Sequence, residues 1–199
     1  MDAVAPCGRF RDQRRVPLTS WPMSPKKGPS GTAALVALTR AGVEFRLHEY
    51  EHTPGETHFG DETVARLGLD PQRVFKTLVA QVQRGGSDKS DKSGKEERGE
   101  LVVGVVPLSG RLDLKALAAA VGAKKAVMAE PAQAERATGY VVGGISPFGQ
   151  KTRHATVVDV SALAFPTVYV SAGRRGLQVE ISPADLVGLT GAVTAAIGV

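Results

Sequence analysis

The chain has 199 residues, of which 25 are Lys or Arg and 20 are Asp or Glu, giving a formal net charge of +5 and a pI near 9.5. That length fits one domain with appendages. A single cysteine, Cys7, excludes an internal disulfide and fits a reducing cytosol, and no apolar run approaches the ~20 residues that a membrane-spanning helix needs.

The first stretch, residues 1–29, mixes Pro, Arg, Ser and Gly without apolar periodicity. It reads as a disordered extension or a misassigned start, with no apolar segment behind its arginines to make a secretory signal. Arg9, Arg11, Arg14, Arg15, Lys26 and Lys27 all fall here, so part of the basic excess that would suit RNA belongs to this segment. The folded part begins at about residue 30. Thr32 to Thr39 places Leu35 and Leu38 on one helical face and is stopped by Gly42. Val43, Phe45 and Leu47 then alternate with polar residues, as in a half-buried strand. A short helix is expected around Asp61 to Leu67, closed by Gly68.

Val74 to Val82 and Leu101 to Val106 are β-branched apolar runs that should pair. Between them, residues 84–100 offer nothing to bury and read as a long flexible hairpin loop. Asp113 caps a helix running to Val121, and Pro131 opens another that stops at Gly139. Tyr140 to Gly144, Thr156 to Val160, Val168 to Ser171 and Leu177 to Ile181 read as strands, the last two joined by a hairpin. Ser182 and Pro183 open a terminal helix. Seven or so strands among helices, without a βαβ rhythm, predict a mixed-sheet α+β domain over residues 30–199.

His48-Glu49-Tyr50-Glu51-His52 matches the zinc-protease pattern H-E-x-x-H in letters only. That chemistry needs a helix to bring two histidines to one face, whereas this run continues an alternating strand and is cut by Pro54 and Gly55. Cys7, in the extension, has no surroundings that would activate a thiol. Lys76 is the stronger anomaly. It sits in Val74-Phe75-Lys76-Thr77-Leu78-Val79, where an ammonium is costly to bury without a partner or a task, unless its stem lies along the sheet and its head reaches water. The Gly143-Gly144 pair is either a plain turn or a place where backbone N–H groups meet a ligand. Arg174 and Arg175 suit a phosphate or a solvated turn equally. No nucleophile–base arrangement or nucleotide-binding loop stands at convincing spacing.

Read together, Tyr50-Glu51-His52-Thr53-Pro54, Phe59-Gly60-Asp61-Glu62, Val74-Phe75-Lys76-Thr77-Leu78, Thr138 through Pro147, and Tyr169-Val170-Ser171 resemble the bacterial YbaK family. Its members are cysteinyl-tRNA deacylases related to the editing insertion domain of prolyl-tRNA synthetase. The resemblance covers residue 30 to the C-terminus, apart from the 84–100 loop. It implies a mixed, partly barrel-like sheet flanked by helices, and a site in which Lys76 is catalytic while Tyr50, Phe59, Thr77, Gly143, Gly144 and Ser171 bind substrate. Arg174 and Arg175 become tRNA contacts. The partners expected are a mischarged tRNA and, transiently, prolyl-tRNA synthetase, with no membrane, cofactor or metal, in the cytoplasm.

The resemblance further implies that the substrate's cysteine thiol attacks its own ester, so that the protein needs no nucleophile. One position departs from the family. Gln178 stands where an aspartate is usual, which removes a charge that could orient the lysine or the substrate amine. Two rivals stay open: a water-using deacylase for alanine or another small amino acid, and a tRNA or synthetase adaptor without turnover.

Overall fold

The computed structural model describes residues 31–84 and 99–199. The expected 1–29 extension with Cys7, and all but the ends of the expected 84–100 loop, lie outside the described residues.

Helix α1 (Ala33–Ala41) starts where Thr32 Oγ1 accepts the Leu35 N–H and ends at Gly42, with Leu35 and Leu38 buried. Strand β1 (Phe45–Glu49) leads to α2 (Phe59–Leu67), which begins two residues earlier than expected. Strands β2 (Phe75–Gln83) and β3 (Glu100–Pro107) pair antiparallel, as their composition predicts. Helix α3 (Leu114–Ala120) is capped by Asp113, whose carboxylate accepts the Lys115 and Ala116 N–H groups. Then follow β4 (Lys125–Met128), α4 (Pro131–Thr138), β5 (Ala155–Asp159), a 3₁₀ turn (Val160–Ala164), β6 (Val168–Ser171), β7 (Leu177–Ile181), α5 (Pro183–Thr190) and β8 (Val193–Ala195).

The strands form two sheets, β1-β7-β6 and β4-β2-β3-β5-β8. The first is antiparallel, whereas β5 runs parallel to both β3 and β8, so the second is mixed. A parallel bridge between Val74 and Tyr169, with the Tyr169 N–H donating to the Arg73 carbonyl at 2.8 Å, joins the sheets at the start of β2. The resulting curved surface is partly barrel-like but does not close.

Alternation decides what each face does. Leu177, Val179 and Ile181 enter a core shared with Leu38, Phe75, Val103, Val158 and Val170, and a second core gathers Val82, Val102, Val106, Leu117 and Ile197. Truncating a fully buried leucine such as Leu177 to alanine in such a core costs about 2–5 kcal/mol.

Three expectations are corrected. Residues Tyr140 to Gly144 form no strand, because three of their five backbone N–H groups are satisfied locally. The Tyr140 N–H goes to Thr138 Oγ1, the Val142 N–H to Glu135 Oε1 and the Gly144 N–H to the Val141 carbonyl, which leaves no ladder to build. Two short strands, β4 and β8, add to the expected elements. The helix opened by Ser182 is consequently not the last element, since β8 follows it and pairs with β5.

Candidate active site

The site grows from the polar face of the β1-β7-β6 sheet. Gln178 and Glu180 point away from the core, and strand register carries that face sideways. His48 and Ser171 flank Gln178, while Arg46 and Tyr169 flank Glu180. Because Val74 bridges Tyr169 and side chains alternate along β2, Lys76 emerges on the same face. Thr77 therefore emerges on the opposite face, between Phe75 and Val79 of the main core, and its buried Oγ1 finds no partner among the described residues. Neighbours in sequence cannot line one wall of a strand, so Thr77 does not share a surface with Lys76.

Helix α2 covers this face. Its first turn packs so closely that a Cβ on Gly60 would lie 2.1 Å from Leu108. Directly below, Lys76 Nζ donates to the Gly110 carbonyl at 2.6 Å and to the Leu108 carbonyl at 3.3 Å. Burial lowers the Lys76 pKa; the Asp61 carboxylate opposes that shift and Arg111 adds to it. An ammonium has three donors, so one remains for a ligand oxygen.

One turn further along α2, Thr63 is only 2% exposed and Gln178 is 7% exposed. Thr63 Oγ1 donates to the Phe59 carbonyl at 2.9 Å, lies 2.9 Å from the Tyr50 hydroxyl and receives Gln178 Nε2 at 3.3 Å. Burial raises the Tyr50 pKa, and Glu62 adds to the rise against the hydrogen bond with Thr63, so the phenol stays neutral.

Phe59 marks the other end of the site. A Cβ on Gly143 would lie 2.5 Å from its ring, and Gly143 has φ +86°, so glycine is required twice over. A Cβ on Gly144 would meet the Arg174 backbone at 2.9 Å. The Gly144 N–H is committed to the Val141 carbonyl, whereas the Gly143 N–H has no hydrogen-bond partner among the described residues. Arg174 pairs with Glu49, and Arg175 stacks on Phe59 while its Nε donates to the Val142 carbonyl at 3.0 Å. Both arginines thus make contacts within the protein.

The two histidines of the zinc-like pattern serve different carboxylates. His48 Nε2 lies 3.1 Å from Glu180, and His52 Nδ1 lies 2.6 Å from Glu62. The Thr53 N–H and the His52 contact hold the Glu62 pKa down at about 2. Glu180 also accepts from Thr167 at 2.6 Å, and these hydrogen bonds outweigh the upward push of burial on its pKa. Arg73 completes that cluster, 3.4 Å from Glu180 and 5.2 Å over the Tyr169 ring.

Structure thus brings together Lys76, Tyr50, Phe59, Gly143, Ser171 and Gln178 around α2, and turns Thr77 away. Sequence reasoning missed Thr63 and the Leu108 and Gly110 carbonyls. The four-residue spacing from Phe59 to Thr63 places both on one helical face, which was the available signal for the first. Backbone carbonyls carry no signal in side-chain identity.

By fold, this is a mixed α+β domain with one polar sheet face roofed by a short helix. A family model described as "Aminoacyl-tRNA editing domain" matches residues 54–189. The chain is 36% identical over 169 residues, 84% of its length and 93% of the relative's, to the Enterococcus faecalis (strain ATCC 700802 / V583) protein named "Putative Cys-tRNA(Pro)/Cys-tRNA(Cys) deacylase EbsC". It is similar to the solved structure of "hypothetical protein APE2540", with a TM-score of 0.70 and 26% identity over 84% of this chain and all of that one. It is also similar to that of "a putative trans-editing enzyme for prolyl tRNA synthetase", with a TM-score of 0.68 and 25% identity over 87% and 99% of the two chains. The chain belongs to the aminoacyl-tRNA editing domain family. It is an enzyme that hydrolyses the ester bond of a mischarged aminoacyl-tRNA.

Proposed function

We propose that the protein is a free-standing trans-editing deacylase whose substrate is Cys-tRNA(Pro), with Cys-tRNA(Cys) as a second substrate, and that the cysteine thiol supplies the nucleophile. The observation that carries the site assignment is the held ammonium of Lys76, with two N–H groups on the Leu108 and Gly110 carbonyls and the third free for an ester or phosphate oxygen. The choice of cysteine is supported by the name of the 36% identical relative. Delivery of the tRNA by prolyl-tRNA synthetase, and a cytoplasmic location, belong to the same proposal.

In this mechanism the substrate thiolate forms a C–S bond to its own carbonyl and the C–O bond to the ribose breaks. The ribose oxygen leaves with a proton, and the cyclic thioester then takes up water to give free cysteine. A thiol of pKa about 8.5 is a few per cent ionised near neutrality. Holding it against the carbonyl exploits effective molarities of about 10⁵ M or more. Lys76 and the Gly143 N–H meet the developing negative charge, and Tyr50, Phe59 and Ser171 shape the aminoacyl pocket.

A 2-aminobutyryl ester puts a methyl group where the thiol stands. It should compete with Cys-tRNA for the enzyme yet be cleaved no faster than the uncatalysed background. Enzymatic release of 2-aminobutyrate at the cysteine rate would require an external water and would overturn self-attack in favour of a water-using deacylase. Binding without turnover of any of Cys-, Ala- or Ser-tRNA would leave only an adaptor.

A further inference from the structure

Thr63 is absent from the set of residues expected to touch substrate, yet three hydrogen bonds converge on its hydroxyl. A threonine hydroxyl has one hydrogen and two lone pairs. Its hydrogen goes to the Phe59 carbonyl, an oxygen that can only accept. Both remaining contacts must therefore bring a hydrogen to Thr63, which makes Tyr50 the donor in the 2.9 Å contact and sets the Gln178 amide with its NH₂ toward Thr63.

The consequence falls on the far side of both groups. With its hydrogen spent, the Tyr50 oxygen keeps only lone pairs to offer. The Gln178 Oε1 has no protein partner among the described residues. Two neutral acceptors are thus presented on the face that also carries Ser171 and Lys76. Two acceptors side by side take a group that carries hydrogens, and of the two hydrogen-bearing groups on the esterified amino acid the α-ammonium has three to give.

We infer that Thr63 is a positioning residue: it orients Tyr50 and Gln178 so that their oxygens face the substrate, and so makes the pocket select an aminoacyl group with a free amine. This inference rests on the deacylase reading of the same site.

Binding tests this separately from turnover. The probes are a non-hydrolysable 3′-amide-linked cysteinyl adenosine and its N-acetyl form, titrated into the parent, Thr63→Val and Thr63→Ser proteins. The parent should prefer the free amine by about tenfold or more, the range of a hydrogen bond to a charged group. Thr63→Val, nearly isosteric but unable to hold the network, should bring that preference close to unity, and Thr63→Ser should restore it. Should Thr63→Val not fold, Tyr50→Phe, which removes one of the two acceptors, must lower the preference. An undiminished preference in Thr63→Val, or in Tyr50→Phe if that variant is the one tested, overturns the inference, as does a parent indifferent to acetylation. Deacylation of Cys-tRNA by the parent is read in parallel. A preference lost in Thr63→Val without any parent turnover strikes the deacylase reading and leaves Thr63 in its role. Turnover with an unmoved preference strikes Thr63 alone.

Discussion

The Arg175 guanidinium lies 4.4 Å from the centre of the Phe59 ring, with its Nε on the Val142 carbonyl. That one side chain ties the β6–β7 hairpin to the first turn of α2 and to the Gly143 turn, three segments far apart in sequence.

Arg175→Ala should therefore disturb the site without acting on the tRNA directly. Loss of an exposed cation–π contact and one hydrogen bond costs about 1–2 kcal/mol, or roughly 2–8 °C in Tm for a domain of this size. Arg175→Lys should recover little, since an ammonium cannot stack and donate from a planar fork at once. Salt dependence separates this from a phosphate contact. If Arg175 neutralised a tRNA phosphate, the slope of log affinity against log salt would shrink by about 0.7–0.9 in the alanine variant. We expect the slope to be unchanged.

Lys76→Ala should lower the deacylation rate about a hundredfold or more, the scale of losing one preorganised donor at a developing charge. The Leu108 and Gly110 carbonyls lose their partner, which costs about 1 kcal/mol and lowers Tm by no more than about 2–4 °C. Lys76→Arg should rescue poorly, because a broad guanidinium does not fit a slot set by two carbonyls. Parent-level activity in a folded Lys76→Ala protein would remove the lysine from the site.

Glycine substitutions should diverge by position. Gly143→Ala meets Phe59 and a left-handed backbone, so it should cost stability by about 1–2 kcal/mol for the backbone alone and depress activity as Phe59 is displaced. Gly188, inside α5 with nothing within 4 Å of an added Cβ, should gain about 0.5–1 kcal/mol as alanine with activity unchanged. Thermal melts and initial rates on the two variants check both.

Asp159 sets an acid limit on stability. Its Oδ2 accepts the Ile197 and Gly198 N–H groups at 2.8 and 2.7 Å, and its Oδ1 accepts from Ser161, so one carboxylate anchors the end of the chain. Burial alone would raise its pKa, but these hydrogen bonds lower it below the ordinary 3.8. A depressed native pKa contributes stability above the unfolded value that is lost as pH falls through the native one. Asp159→Asn should cost about 1–3 kcal/mol at pH 7 and should flatten the decline in stability below about pH 4. Denaturant midpoints across pH 2–7 read both effects.

Much of this protein follows from local sequence. Thr32 with Gly42, Asp113, Pro131 with Gly139, and Ser182 with Pro183 mark helix ends that the structure keeps, because capping is a matter of a few neighbouring residues. The apolar runs of β2 and β3 fit a buried ladder, and a lysine among them points to the candidate site. Tyr140 to Gly144 deceived because its apolar letters resemble a strand, while the Thr138 and Glu135 side chains, fixed on α4, take its backbone donors.

Tertiary structure decided which residues face one another. The single bridge between Val74 and Tyr169 puts Lys76 on the polar face with Gln178 and turns Thr77 into the core, a sorting that sequence adjacency hides because successive strand residues point to opposite sides. Tyr50, Thr63 and Gln178 stand 13 and 115 residues apart along the chain, and only packing of α2 across β7 lets one hydroxyl hydrogen dictate the direction of the other two bonds. Helix caps and apolar runs are properties of short segments and can be read from them. Proton direction in a buried network is a property of the contact, which exists only once the chain has folded.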